Sequence, residues 1–535
     1  MATRPASNPA PAVDPGPGAA QGATRSAGRW LALLAIAASV LVVGLDLTVL
    51  NLALPTMAVS LHASTGDLQW IVDSYSLVLA ALILPAGLLG DRYGRKRVLL
   101  IALVLFGASS LACAYASSTG ELIAARAVLG IGAAAIFPLA LSVLPVLFAP
   151  EERQRAVAAI AGASMLSFPI GPIVGGYLLN HFWWGSVFLI NVPIVVIAFT
   201  AVVMLLPESR SARRPSIDLS GLVVSTAGLV ALTYGFIKAG QDGWSDAAAV
   251  ALIAVGVVIL ALLPAVERRI ADRGGQPLAD LQLFRSPGFR WGTILATAVS
   301  FAMFGMFFAL PQYFQDVRGA DPLGSGLRLL PMVGGMLVGM VSGTRLKAPR
   351  IAVTAGYLLM AAAMTLGALT TLTSSTGYTI AWVALAGLGL GLVMPGAMGV
   401  ALGALSAERS GAGSALLTAM RQVGSTIGVA VLGTVISSSY SSGVASAAAD
   451  LPAQAAAAVR SSVGAGVAVA NKLGSASLLD TVRTAFVHGM DLMLWTCAGI
   501  AVGCALLAVI FLRPRPGDGG APDTTDSPAG SLSVR

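Results

Sequence analysis

Three charged side chains stand where the hydrocarbon of a bilayer would be. Asp46 lies inside the apolar stretch Leu31 to Leu54, Asp73 a few residues into the stretch 68–89, and Arg126 a few residues into 122–148. A charge at the centre of a spanning helix costs roughly 2.5 to 3.5 kcal/mol on insertion scales, so such residues are kept for what they do. Counting at about 1.5 Å per residue sets all three in one layer, roughly 8 to 12 Å from the outer ends of their helices. An arginine at that depth requires an acid. Either Asp46 or Asp73 can supply it while ionised and withdraw it on protonation, which links proton binding to the making and breaking of an ion pair.

Two further groups fit the binding of a guest molecule. Arg421 and Gln422 fall about ten residues into 411–437, near the midplane, where they can take an anionic or polar part of a guest or tie their helix to backbone carbonyls. Gln312 and Tyr313 follow Pro311 at the end of the Met- and Phe-rich run Phe301 to Phe314, a composition suited to an adaptable pocket for flat apolar molecules. His62, His181 and His488 fall at loops or span ends, and the spacing of the histidines and of Cys113, Cys497 and Cys504 offers no metal site.

The elements that position these residues are spanning helices. Of the 535 residues, 56% are hydrophobic and only 10% charged, with a mean hydropathy of +0.84, too little polar surface for a soluble chain of this length. Fourteen apolar stretches reach the roughly 20 residues needed to cross a bilayer: 30–54, 68–89, 98–116, 122–148, 155–179, 184–206, 219–238, 247–266, 291–314, 325–344, 351–371, 379–403, 411–437 and 488–512. Lys and Arg gather on the loops that share a side with the N-terminus, so both termini are expected in the cytoplasm, with the protein multi-pass in the plasma membrane. The same bias accounts for the net charge of +8. Basic loops meet anionic lipid head groups, and nucleic acid need not be invoked.

Basic connectors at Pro207–Asp218 and Glu267–Arg290 divide the chain into six, two and six helices. The expected organisation is a disordered cytoplasmic tail over 1–28, a six-helix bundle over 29–206, a linker with two extra spans over 207–290, a second six-helix bundle over 291–512, and a disordered tail over 513–535. Within the second bundle, residues 438–487 read as a partly helical outer loop, because the apolar run Val463–Ala470 is too short to span.

The loop Gly87-Leu-Leu-Gly-Asp-Arg-Tyr-Gly-Arg-Lys96 resembles, nearly position for position, the signature loop of the major facilitator superfamily. Leu45-Asp-Leu-Thr-Val-Leu-Asn and Trp70-Ile-Val-Asp-Ser-Tyr-Ser-Leu77 narrow the resemblance to its fourteen-span drug:proton antiporter branch, the Qac-type multidrug exporters. The resemblance runs from about residue 30 to 512. It implies an all-α major facilitator fold of two six-helix bundles plus two central spans, working by alternating access without a cofactor and driven by the proton gradient. Gly87, Asp91, Gly94, Arg95 and Lys96 would form a conformational latch; Asp46, Asp73 and Arg126 would couple protons; Gly171, Pro172, Gly175 and Gly176 would form the antiporter motif. Asp46, Asp73, Gln312, Tyr313, Arg421 and Gln422 would contact a small amphipathic drug, antibiotic or natural product. In the Qac-type pattern the helix around Arg421 carries acids, and here it does not.

Nucleotide-driven pumping is disfavoured, since no Gly-x-x-x-x-Gly-Lys-Ser/Thr run occurs. A membrane enzyme lacks a nucleophile with a neighbouring base. Proton-coupled uptake is the alternative with the same fold, and the 171–176 motif points instead to export. The partners expected are the substrate, protons and membrane lipids, with the protein as a monomer.

Overall fold

The computed structural model describes residues 17–148, 150–209, 219–272, 281–346, 348–405 and 410–512. Fourteen of its helices are long and apolar enough to cross a membrane. We label them α1 (Pro17–Ser60), α2 (Thr65–Tyr93), α3 (Arg95–Ala114), α4 (Thr119–Ser142), α5 (Pro150–His181), α6 (Ser186–Leu205), α7 (Leu219–Asp242), α8 (Ala247–Asp272), α9 (Pro287–Gln312), α10 (Pro322–Arg345), α11 (Pro349–Gly367), α12 (Thr376–Gly403), α13 (Ser410–Ala449) and α14 (Ala476–Phe511). With an even number of spans, the start of α1 and the end of α14 share a face, here the terminal face; the opposite one is the far face.

Backbone groups in lipid have no water to bond, so helix ends need caps. On the far face six of the helices supply them from sequence. Ser64 opens α2 with a reciprocal capping box, its hydroxyl accepting from Asp67 N and its own N–H donating to the Asp67 carboxylate. Ser118, Asp246, Asp321, Ser375 and Ser475 accept backbone N–H groups at the starts of α4, α8, α10, α12 and α14.

Packing divides the molecule as the six-two-six count expects. One apolar core joins α1–α6 and a second joins α9–α14. The halves meet along two seams, α2 against α13 and α5 against α10. The α7–α8 hairpin is held together by small residues: a Cβ at Gly256 would lie 2.6 Å from Leu232 N, and one at Gly235 2.7 Å from Ile253 N. The helix α7 reaches both halves, through the Trp70–Tyr234 ring contact to α2 and the Thr434 hydroxyl donating to Phe236 O at 2.7 Å from α13. Its partner α8 turns Val250, Val255, Val258 and Leu262 outward, a surface suited to lipid.

Several elements differ from the expected boundaries. The helix α1 starts at Pro17, inside the segment read as a tail, because Ala-rich residues follow a proline that is tolerated in a first helical turn. The helices α13 and α14 run to Ala449 and back from Ala476, well past the expected span ends at 437 and 488. At 40 residues, α13 is about 60 Å long, twice the hydrocarbon thickness. Two short helices, Ala453–Ser461 and Val463–Leu473, join them across the far face. They are anchored by the buried Tyr440 hydroxyl, which bonds Val459 O at 2.8 Å and Ser462 O at 3.1 Å. Residues 1–16 and 513–535 lie outside the described residues.

Candidate functional site

Asp46 is 2% exposed on α1 and its carboxylate pairs with the Arg126 guanidinium of α4, which is fully buried. The second carboxylate oxygen accepts from Asn191 Nδ2 of α6 at 3.2 Å, and the same amide reaches Ser110 Oγ of α3 at 3.2 Å. Arg126 Nε donates to Ile71 O of α2 at 3.1 Å, and the Tyr75 ring lies under the guanidinium, 4.4 Å from its carbon. Five helices thus converge on one buried ion pair. Cations over aromatic faces gain further attraction when desolvated, and a buried carboxylate is stable only when paired and hydrogen-bonded.

Asp73 does not join this cluster, contrary to its expected place beside Arg126. It lies two residues after Ile71 on α2, about 200° around the helix, and shares a face with Gln69, whose amide donates to Val429 O and Ala430 O of α13 at 3.2 and 3.0 Å. Asp73 is fully buried in that seam, and neither of its oxygens has a hydrogen-bond partner among the described residues. The ion pair and the orphan acid belong to different faces of α2.

A cavity of about 210 Å³ opens between the halves. From the first half it is lined by Val43, Gly44, Leu47 and Thr48 of α1, Ile83 of α2, and Phe168 of α5. From the second half come Ser300, Met303, Phe304 and Phe307 of α9, with Thr418, Arg421 and Gln422 of α13. Phe168 stacks on Phe307 at 6.3 Å across the gap. Asp46 does not line the cavity; it faces about 130° away from the lining residues of its own helix, counting at 100° per residue. Gln312 and Tyr313 do not line it either. Both are buried in the core of the second half near the far face, where Gln312 Nε2 donates to Phe308 O at 2.8 Å. Their expected pocket role fails because helical spacing cannot tell which side of α9 turns inward; the run 300–307 supplies the lining instead.

Beyond the cavity the far side is sealed. A Cβ at Gly171 would meet Thr48 Oγ1 at 2.0 Å and one at Gly175 would meet Val49 Cγ1 at 2.8 Å, so these two glycines let α5 lie against α1. At Gly176 a Cβ would come within 2.6 Å of Leu323 Cα, and Pro172 O lies 2.3 Å from where Gly326 would carry one. Those contacts close the α5–α10 seam. Around them Gln315 Nε2 donates to Leu52 O at 2.9 Å, Thr65 Oγ1 to Ser461 O at 3.1 Å, and Asn180 Nδ2 to the Asp321 carboxylate.

On the terminal face, Asp91 Oδ1 accepts from Arg95 Nε at 2.9 Å and Nη2 at 2.8 Å across the break between α2 and α3. Gly94 makes that break with φ +112°, a conformation open to glycine and strained for other residues. Sequence reasoning missed the partner that holds this loop. The Glu208 carboxylate, past the end of α6, accepts from Lys96 N and Arg97 N, both at 3.2 Å, while Lys96 Nζ donates to Val203 O at 2.7 Å. All of these partners lie in the first half. Asn191 was likewise missed, although an amide at the head of the apolar run Val192–Val203 was the available signal.

Residues 36–429 match the Major Facilitator Superfamily. The chain belongs to this family. The resistance and export protein for tetracenomycin C of Streptomyces glaucescens is 34% identical over 94% of this chain and 94% of its own length. The multidrug efflux pump LfrA of Mycolicibacterium smegmatis is 35% identical over 90% of this chain and 96% of its own. In fold, this major facilitator is similar to a bacterial homologue of the human lysosomal transporter Spinster in an inward-facing, unoccupied conformation, with a TM-score of 0.64 at 16% identity over 91% of this chain and 98% of that one. It is a multi-pass membrane protein of a transporter family.

Proposed function

We propose that this protein is a proton-driven antiporter that exports small amphipathic molecules, drugs or natural products, across the plasma membrane. The terminal face, with both chain ends, is then cytoplasmic, a reading that the basic loop 92–97 supports. The observation that carries the reading is the buried Asp46–Arg126 pair, held by Asn191 and Ile71 and set apart from the cavity. Relatives at 34% and 35% identity whose names are those of export proteins support the direction.

The cycle follows from which groups face which side. With the far seam closed, a molecule entering the cavity from the cytoplasm drives the proton off Asp46 to that side, and the ionised carboxylate clamps α1 to α4. When the halves rock and the far side opens, the guest leaves and a proton reaches Asp46. The neutral carboxyl no longer holds Arg126, which keeps its bond to Ile71 O and its place over Tyr75. Because Gly44, Leu47 and Thr48 line the cavity from the same helix, a small rotation of α1 carries the protonation state to the substrate site. No cofactor takes part. The Asp91–Arg95 loop, bonded within the first half in this closed-outside state, would re-engage the second half as the cytoplasmic side closes.

Everted vesicles test this. Proton-gradient-dependent uptake of drugs by vesicles carrying the wild type, absent in those carrying Asp46→Asn at equal protein abundance, is the expected result. Gradient-driven transport by the Asp46→Asn vesicles at the wild-type rate would defeat the assignment.

A further inference from the structure

The cavity carries a charge that no acid among the described residues neutralises. Arg421 reaches into it from α13, and its contacts are a long bond from Nε to Ser300 Oγ at 3.4 Å and one from Nη1 to Met398 Sδ at 3.9 Å. Both partners are neutral, and one is a sulfur. Among the described residues no carboxylate pairs with it, and no acid lines the cavity, so Arg421 is the one ionisable group there. The neighbouring Gln422 Nε2 is buried without a partner among the described residues. A guanidinium cannot escape its charge by losing a proton, and an unpaired charge inside a membrane protein marks a site for an ion or a ligand. The contrast with Arg126 is instructive. That arginine has an acid, a carbonyl and a ring, though its Nη2 is also unbonded among the described residues; Arg421 has no acid and an open space before it.

The remaining walls define the rest of the guest. Phe168, Phe304 and Phe307 offer aromatic faces, and Met303 a deformable flank, beside the donors of Arg421 and Gln422. A volume of about 210 Å³ equals about seven waters at liquid density, room for a small fused ring system but below the range of drug-sized sites. We propose that the cavity selects amphipathic acids: one carboxylate or acidic phenolate seated on the Arg421 fork with Gln422 beside it, and a flat apolar body between Phe168 and Phe304. Cationic molecules are disfavoured, because they would bring a second positive charge beside Arg421 with no acid to receive them. This rests on the reading of the cavity as the substrate site of an exporter and adds its chemical class.

The test is equilibrium binding to the full-length protein in nanodiscs, corrected with empty nanodiscs, of three probes that share one ring system: 2-naphthoate, methyl 2-naphthoate and 2-naphthylmethylammonium. A hydrogen-bonded charge pair contributes enough for a preference of about tenfold to a hundredfold of the acid over the ester, with the ammonium weakest. Arg421→Gln removes the preference, so that acid and ester bind the variant equally. Arg421→Lys keeps the charge but loses the fork, and retains part of the preference, so the question stays decidable if the glutamine variant does not fold. Equal binding of acid and ester by the wild type, no binding of the acid, or an unchanged preference in Arg421→Gln would overturn the proposal. Proton-driven efflux is measured separately in vesicles. Efflux without acid preference sinks this inference alone; acid preference without proton-driven efflux sinks the export reading alone.

Discussion

Removing either partner of the buried pair should have unequal costs. The Asp46→Leu variant leaves Arg126 with a permanent charge inside the first half, still bonded to Ile71 O and over Tyr75 but without its acid. Breaking a buried pair by removing one partner costs about 3 to 5 kcal/mol, because the other charge stays behind uncompensated. The reverse change, Arg126→Met, leaves a carboxylate that still has Asn191 Nδ2 at 3.2 Å and can neutralise itself by taking a proton. Its cost should be about half as large. The double variant buries two apolar side chains of suitable length and should recover most of the loss, giving a coupling of about 2 kcal/mol or more in a double-mutant cycle. Detergent-titrated unfolding of the four purified proteins measures each term. Equal losses in the two single variants, or a double variant whose loss is the sum of theirs, would refute the reasoning.

The other expectations are narrower. The Asp73→Asn protein should accumulate and melt as the wild type does, since no partner is lost, while its transport falls mildly; misfolding on Western blots or melting curves would show a hidden structural bond. In Gly176→Ala the new methyl meets backbone of α10 at Leu323 Cα, 2.6 Å away, so the far side should stand open. Labelling of a cysteine placed at Thr48 by a membrane-impermeant maleimide added from outside should rise severalfold, and unchanged labelling would count against the seal. The Tyr440→Phe variant loses both hydroxyl bonds to the 459–462 turn, about 1 to 3 kcal/mol of local anchoring. Protease added outside should then nick residues 450–475 faster, with cutting at the wild-type rate speaking against the anchor. In Glu208→Gln, weaker capping of α3 should slow transport severalfold without changing ligand affinity, as read by vesicle rates beside nanodisc binding.

Much of this was legible in the residues themselves, for physical reasons. Asp46 and Arg126 stood out because each is an isolated charge in an apolar run, and hydrocarbon enforces pairing. Gly171 to Gly176 were legible because only small residues permit backbones to approach as closely as α5 approaches α1 and α10. The choice between Asp46 and Asp73 as the partner of Arg126 was open to depth counting, which fixes a layer but not a face; Ile71 O and Tyr75 occupy the face of α2 that turns to Arg126. For Gln312 and Tyr313 the difficulty was the same, since a helix that is apolar all round has no periodicity to orient it. The long far-face ends of α13 and α14 were hidden because Ser- and Ala-rich turns are not hydrophobic, although alanine forms helix well. Glu208 looked like any loop acid. Only the folded chain brings it to the start of α3, more than a hundred residues earlier.

The central claim, that Asp46 carries the exchanged proton, is tested most directly by proton release from purified protein on substrate binding. A weakly buffered sample at pH 7 with an indicator dye, titrated with a compound that the wild type exports, should release protons with saturation matching binding. The Asp46→Asn protein should bind the same compound and release none. Release of equal size from the Asp46→Asn protein would contradict the account.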